Sequence, residues 1–252
     1  MSDTKPKICV LSGNALKIIA AVSMFIDHLG VVIFPGVQIF KILGRLAFPI
    51  FAFMIAEGCR YTKNRVKYFL LVFSMGLVYT LVFYVYSKIL YFCILMTFAF
   101  AILMIFALDR FKCSLFDKQA SALSKLSWGL VFLFGFLLCF WFNYEFRVDY
   151  GFVGCITPVL VSLFHPPSKN APEWYVRLGA GHWSVIGVAV GVALLFIVYG
   201  GIRAYAFFAI PLLLLYSGKR GKRKMKYFFY VFYPTHLLAL EGIYMLLNMI
   251  KG

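Results

Sequence analysis

An acid and an imidazole, Asp27 and His28, sit side by side in an apolar run, Ala15 to Phe34 (ALKIIAAVSMFIDHLGVVIF). An ionisable side chain at the centre of a bilayer costs about 2.5–3.5 kcal/mol on insertion scales. A segment that only anchored would carry neither residue. Histidine titrates near neutrality, so His28 could serve as a general base or a nucleophile. Successive residues on a helix point about 100° apart, so Asp27 is poorly placed to orient His28 and needs a cation on another helix. Arg45, at similar depth in the next apolar run (GRLAFPIFAFMIAEG), is that charge partner or a donor to an oxyanion. The competing reading is an Asp27–Arg45 ion pair that fixes packing, with His28 a satisfied core residue.

Other polar residues fall at membrane depth. Lys17 precedes His28 by eleven positions, which puts both on one helix face, about 16 Å apart along the axis. A long ligand could lie there with its anionic end at Lys17 and its reactive end at His28; otherwise Lys17 snorkels to the headgroups. The last apolar run opens KYFFYVFYPTHLLALEGIY. Lys226 and His236 lie in its inner half, next to a basic loop where a nucleotide could be held, and Glu241 lies deeper. Asn143, Asp149 and Tyr150 cluster at the expected outer surface, where an acceptor would arrive, or form a turn. Glu57 sits near Arg60 and Lys63 and reads as their partner. Pro49 is expected to kink the second run by removing a helix hydrogen bond.

The elements that must position these residues are membrane helices. The chain of 252 residues is 63% hydrophobic and 13% charged, with a mean hydropathy of +0.90. A soluble domain of this size has no way to bury that much apolar surface. The fold expected is all-α: a single domain over 1–252, a polytopic bundle of about nine transmembrane helices. The runs are roughly 15–34, 42–60, 66–87, 89–108, 126–143, 150–165, 183–200, 202–216 and 228–248. The sixth, with Pro158 in its middle, could be broken or re-entrant, and the eighth contains Pro211. Residues 109–127 read as a polar connector and 166–182 as a loop. The pair Gly187 and Gly191 reads as close helix packing.

The net charge of +16 first suggests nucleic acid, but the basic residues alternate by loop. Eighteen Lys and Arg fall in the pieces on the N-terminal side of the membrane and five in the pieces on the other side. By the positive-inside rule this is a topogenic pattern, with the N-terminus cytoplasmic and no nucleic-acid partner. The first run lacks a small-residue cleavage site, so it is not read as a removed signal peptide. Six cysteines without a CxxC pair read as free thiols, with no disulfide framework and no metal. There is no Walker loop, GxGxxG, HExxH or GxSxG, which argues against an ATP-driven pump, a zinc protease and the common serine hydrolase.

The strings LKIIAAVSMFIDHLG (16–30), GRLAFPIFAFMIAEGCRYTKN (44–64), ILMTFAFAIL (94–103), DYGFVG (149–154) and KYFFYVFYPTHLL (226–238) together resemble the TraX family. The resemblance runs in order over most of the chain, but 165–200 shows no matching piece. It implies an integral-membrane acetyltransferase of the bacterial plasma membrane. The family is named for a protein that N-acetylates conjugative pilin, and it looks related to transmembrane acyltransferases that use cytoplasmic acetyl-CoA. By matching motif, Asp27 and His28 would be the catalytic pair, with Arg45 and His236 as site residues. The acceptor would be a glycan or a protein. Membrane lipid is the surrounding partner, and a homodimer is allowed although no segment declares an interface. Two other readings use the same residues. A small proton-coupled transporter would employ Asp27, His28, Arg45, His236 and Glu241 as a relay, and a non-enzymatic scaffold would use them for packing alone.

Overall fold

A computed structural model describes residues 10–221 and 225–251, without the side chains of Tyr86, Lys226, Tyr227, Tyr230, Glu241, Asn248, Ile250 and Lys251. Expectations placed on Lys226, Glu241 and Cys9 therefore lie outside the described groups. The helices are α1 (Gly13–Val32), α2 (Gln38–Gly44), α3 (Ala47–Tyr61), α4 (Arg65–Ser87), α5 (Ile94–Phe116), α6 (Ala122–Glu145), α7 (Gly151–Leu163), α8 (Glu173–Ala180), α9 (Ser184–Tyr199), α10 (Ala209–Leu214) and α11 (Lys226–Lys251). A 3-10 helix covers Gly201–Phe208. Two short strands, β1 (Tyr91–Phe92) and β2 (Arg147–Val148), pair in parallel, an addition to the expected all-α fold.

Among the described residues, five helices are long and apolar enough to cross a membrane: α1, Gln38–Tyr61 taken through its break, and most or all of α4, α5 and α6. A sixth arises if α8 and α9, bent by 66° at their junction, form one span. The remaining apolar runs correspond to shorter helices at Gly151–Leu163, Gly201–Leu214 and Val231–Leu247. The chain is a helical membrane protein.

Two compact units emerge. One is built from Ala52–Leu195, the other from residues 10–51 with 196–221 and 225–251. The second unit is assembled from two separated stretches, so no linker composition marks its edge.

Within the first unit α5 is the central helix. Phe98, Ala101, Ile102 and Ile105 are buried on it, and α4, α6 and α7 pack around it. In contrast α6 leaves Leu126, Leu130, Phe134, Leu137 and Trp141 exposed, as a helix that is apolar all round does when lipid is its solvent. A Cβ on Gly187 would overlap the backbone of Leu160 and Val161, and one on Gly191 would overlap Thr157. These two glycines let α9 approach α7 closely.

Several boundaries differ from the sequence expectation. The second run, expected to kink at Pro49, is interrupted at Arg45–Leu46, between α2 and α3. Pro49 is the third residue of α3, and its ring would clash with the carbonyl of Arg45, four residues back. That crowding, with the missing N–H, disfavours regular helix at that point. The fourth run begins later, at Ile94, and α5 carries Asp109, Arg110 and Lys112 through to Phe116; the connector is only 117–121. The sixth run, 150–165, forms one unbroken helix over Gly151–Leu163 with Pro158 inside it. The loop expected over 166–182 contains α8. Pro211 falls in the first turn of α10, where a missing N–H costs little.

Candidate functional site

Unit two is organised around α1. Ser12 caps it, accepting from the Ala15 N–H at 3.2 Å. The N–H groups of Gly13 and Asn14 donate to the carbonyls of Lys219 and Arg220 at 2.8 and 2.9 Å. The start of α1 is thereby tied to the basic segment that precedes α11. At its other end α1 meets α2. Ser23 Oγ donates to the Leu43 carbonyl at 2.6 Å. Gly30 faces Phe40, and Gly44 faces Asp27 so closely that a Cβ on either would overlap its neighbour.

This approach delivers Arg45 to Asp27. Arg45 Nη2 donates to Asp27 Oδ1 at 2.6 Å and its Nε donates to the Lys41 carbonyl at 3.0 Å. Both side chains are mostly covered, 15% and 18% exposed. The guanidinium is held from two directions, one of them a carboxylate of opposite charge.

His28 does not turn to Asp27. Its Nδ1 lies 2.9 Å from the Met24 carbonyl and 3.2 Å from Nε2 of His236 on α11. His236 Nδ1 lies 2.7 Å from the Phe232 carbonyl. A carbonyl only accepts, so both Nδ1 atoms carry the hydrogen. In the neutral pair, His236 Nε2 is then a lone-pair acceptor facing the His28 Nδ1–H. His28 Nε2 is the unprotonated nitrogen, ready to take a proton or attack a carbonyl. The His236 ring is stacked on Phe232, 4.8 Å between centroids at 10°, with Tyr233 and Phe25 edge-on. Side-chain packing locks its orientation. The two histidines, expected at different depths, meet.

Lys17 faces α11 as well, with Nζ 5.9 Å from the centre of the Phe229 ring. Lys17 and His28 thus share the α11 side of α1. Asn143, Asp149 and Tyr150 belong to the other unit and are engaged with its backbone. Asn143 Nδ2 donates to the Cys139 carbonyl at 2.8 Å and lies 3.5 Å from the sulfurs of Cys139 and Cys155. Asp149 donates its N–H to the Phe92 carbonyl, and its own carbonyl accepts from Thr97 Oγ1 at 2.7 Å. Burial and the neighbouring Asp149 carboxylate, which accepts its hydrogen bond, push the Tyr91 phenol above its ordinary value. Tyr150 caps α7 with a left-handed backbone, φ 59°.

Sequence reasoning passed over a second polar cluster, in unit one. Its members come from the ends of α3, α5 and α7 and the start of α4. Glu57, Lys112 and His165 are buried at 7%, 8% and 5% exposure. His165 Nε2 is 3.1 Å from Glu57 Oε1, off the axis of a hydrogen bond and without another partner among the described residues. Burial lowers the His165 pKa, with the Glu57 charge opposing, so the ring is neutral at pH 7. Lys112 Nζ donates to the carbonyls of Ser162 at 2.6 Å and His165 at 3.0 Å, capping the end of α7. Arg65 pairs with Asp109, which also accepts from the Ser168 N–H at 2.8 Å. Arg60 Nη1 donates to the Gly179 carbonyl at 3.0 Å and lies 3.8 Å from Glu57. Between them is a pocket of about 50 Å³ lined by Cys59, Arg60, Arg65, Asp109, Lys112 and His165 among others. The only sequence signal was Glu57 three residues before Arg60; Lys112 and Asp109 were hidden in what read as a connector.

Residues 12–244 match the family model described as TraX protein. A stretch of 78 residues is 30% identical to a protein of Rickettsia prowazekii (strain Madrid E) described as uncharacterized protein RP591, over 31% of this chain and 28% of that protein. The chain therefore aligns with less than a third of that relative's length. No solved structure matches.

Proposed function

The chain belongs to the TraX family, and on that premise we propose that it is a membrane acetyltransferase of the bacterial plasma membrane. It takes an acetyl group from cytoplasmic acetyl-CoA and passes it to a hydroxyl or amine of a glycan or protein acceptor. The observation that carries this reading is the contact of His28 Nδ1 with the Met24 carbonyl at 2.9 Å and with His236 Nε2 at 3.2 Å, which leaves Nε2 as the nitrogen for proton transfer or attack.

In a direct transfer, the acceptor oxygen or nitrogen attacks the thioester carbonyl while its proton passes to His28 Nε2. The tetrahedral centre then expels the thiolate, which recovers that proton. In a covalent route, Nε2 attacks first and the thiolate leaves. The acetyl-imidazole that results makes the Nδ1 proton acidic, and His236 Nε2 is placed to accept it. In both routes His236 supports positive charge on His28 much as an orienting group does in a catalytic triad. The Arg45 guanidinium, immobilised by Asp27 and the Lys41 carbonyl, suits preorganised stabilisation of an oxyanion. Lys17, on the same side of α1, is the group for an anionic part of the donor.

The test is acetyl-CoA binding and slow hydrolysis by purified protein in detergent. Wild-type protein should bind saturably and turn over, and His28→Ala should lose roughly 10²–10⁴ in rate while still binding. His236→Gln should lower kcat and leave the KM for acetyl-CoA nearly unchanged. A raised KM with normal kcat would instead make His236 a donor-binding residue. A well-folded sample that binds no acetyl-CoA sinks the reading and leaves the same histidine pair as a proton relay for transport.

A further inference from the structure

We propose that the polar pocket of unit one binds a phosphoryl group, with Arg60 and Arg65 at its mouth and the Lys112 ammonium at its floor. Its residues belong to unit one, the histidine pair to unit two, and the proposal does not depend on acyl transfer.

The inference rests on a charge that the fold leaves over. The cluster contains three cations, Arg60, Arg65 and Lys112, and two carboxylates, Glu57 and Asp109. Asp109 is committed to Arg65 and Ser168, and Glu57 lies against His165 and Arg60. Lys112 has no carboxylate within ion-pair distance among the described residues. Its N–H groups are satisfied by carbonyls at the end of α7, whose dipole offsets about half a charge. The ammonium is buried at 8% exposure, with the centre of the Tyr175 ring 5.2 Å from its Nζ, and its removal from water carries a desolvation penalty. An anion in the adjoining pocket offsets part of that penalty.

Shape and donors narrow the anion. The pocket of about 50 Å³ holds roughly three to five waters, the room taken by one phosphorus and its oxygens. Arg60 uses Nη1 on Gly179, and Arg65 uses Nη2 on Asp109 and Ser168. Each guanidinium keeps further N–H groups, and the side chains are 25% and 29% exposed. Two planar forks at a rim suit a multidentate oxyanion. His165 Nε2, buried and off-axis to Glu57, is a further polar atom on the lining.

The phosphoryl group could belong to a soluble phosphate ester or to a phospholipid headgroup. The experiment uses the full chain in a phosphate-free maltoside detergent. Inorganic phosphate is titrated against thermal unfolding, with chloride at matched ionic strength as control. In parallel, the protein is placed in nanodiscs with and without phosphatidic acid. Saturable stabilisation by phosphate assigns a soluble source; stabilisation by phosphatidic acid alone assigns the headgroup. Arg60→Gln should weaken the effect by about tenfold, whereas Asp109→Asn, which removes the carboxylate from the lining, should strengthen it. The opposite signs separate binding from a general loss of fold. No stabilisation in either medium, or stabilisation that both variants leave unchanged, overturns the proposal.

Discussion

His165 is where burial and charge compete most directly. Burial lowers its pKa from 6.5, Glu57 opposes, and Arg60 and Lys112 add to the lowering. The native state therefore holds a neutral ring where the unfolded chain would bind a proton. Between the folded value and about 6.5 the unfolded state carries more protons, so stability rises with pH in that window and falls as pH drops through it. A single linked proton limits the slope to about 1.4 kcal/mol per pH unit. Thermal unfolding of the protein in detergent should show a declining Tm below about pH 6.5, and His165→Gln should flatten that decline. An unchanged slope in the variant would assign the dependence elsewhere. At this scale the sequence was readable in part. An acid at membrane depth demands a cation, and Asp27 does meet Arg45. The meeting of His28 with His236 was not readable, because 208 residues separate them and counting along each helix placed them at different depths. Lys112 was illegible because basic residues after an apolar run look like a loop, while here they continue a helix.

Among the elements, the short helix α2 has the most exacting position. It must bring Arg45 against α1, and Gly44 is the residue that allows it. A methyl group there would overlap the Asp27 side chain. Gly44→Ala should destabilise by about 1–3 kcal/mol and displace Asp27 from Arg45. Gly135 on α6 has open space around it, so Gly135→Ala should be neutral or stabilise by up to about 1 kcal/mol. Comparing the two variants by thermal unfolding tests the packing, since equal effects would mean that neither glycine is there for close approach. Apolar run lengths found nearly every helix in advance, because hydropathy alone marks them. They missed the break at Arg45–Leu46, for which Pro49 was the signal; its effect falls on the residue four positions earlier. They also missed α8, an eight-residue helix at 66° to α9, whose mixed composition (EWYVRLGA) carries little hydropathy signal.

For the whole molecule, the alternation of basic loops predicts which ends of the helices share a side. Single cysteines introduced on a cysteine-free background at Lys118 and Lys219 should react with an impermeant thiol reagent only from the cytoplasmic side. Those at Lys88 and Arg203 should react only from outside. Labelling of Lys88→Cys and Lys118→Cys from one side would refute the alternation. The division into two units was invisible to composition, since a unit made from two distant stretches leaves no linker to see. That interleaving also imposes an order of manufacture. A ribosome adding about 5–20 residues per second takes roughly 10–40 s to travel the 208 residues from His28 to His236. Throughout that interval α1 carries its histidine without the imidazole that will orient it. A chain cut short before α11 has no completed histidine pair, so maturation of the site waits for the synthesis of α11.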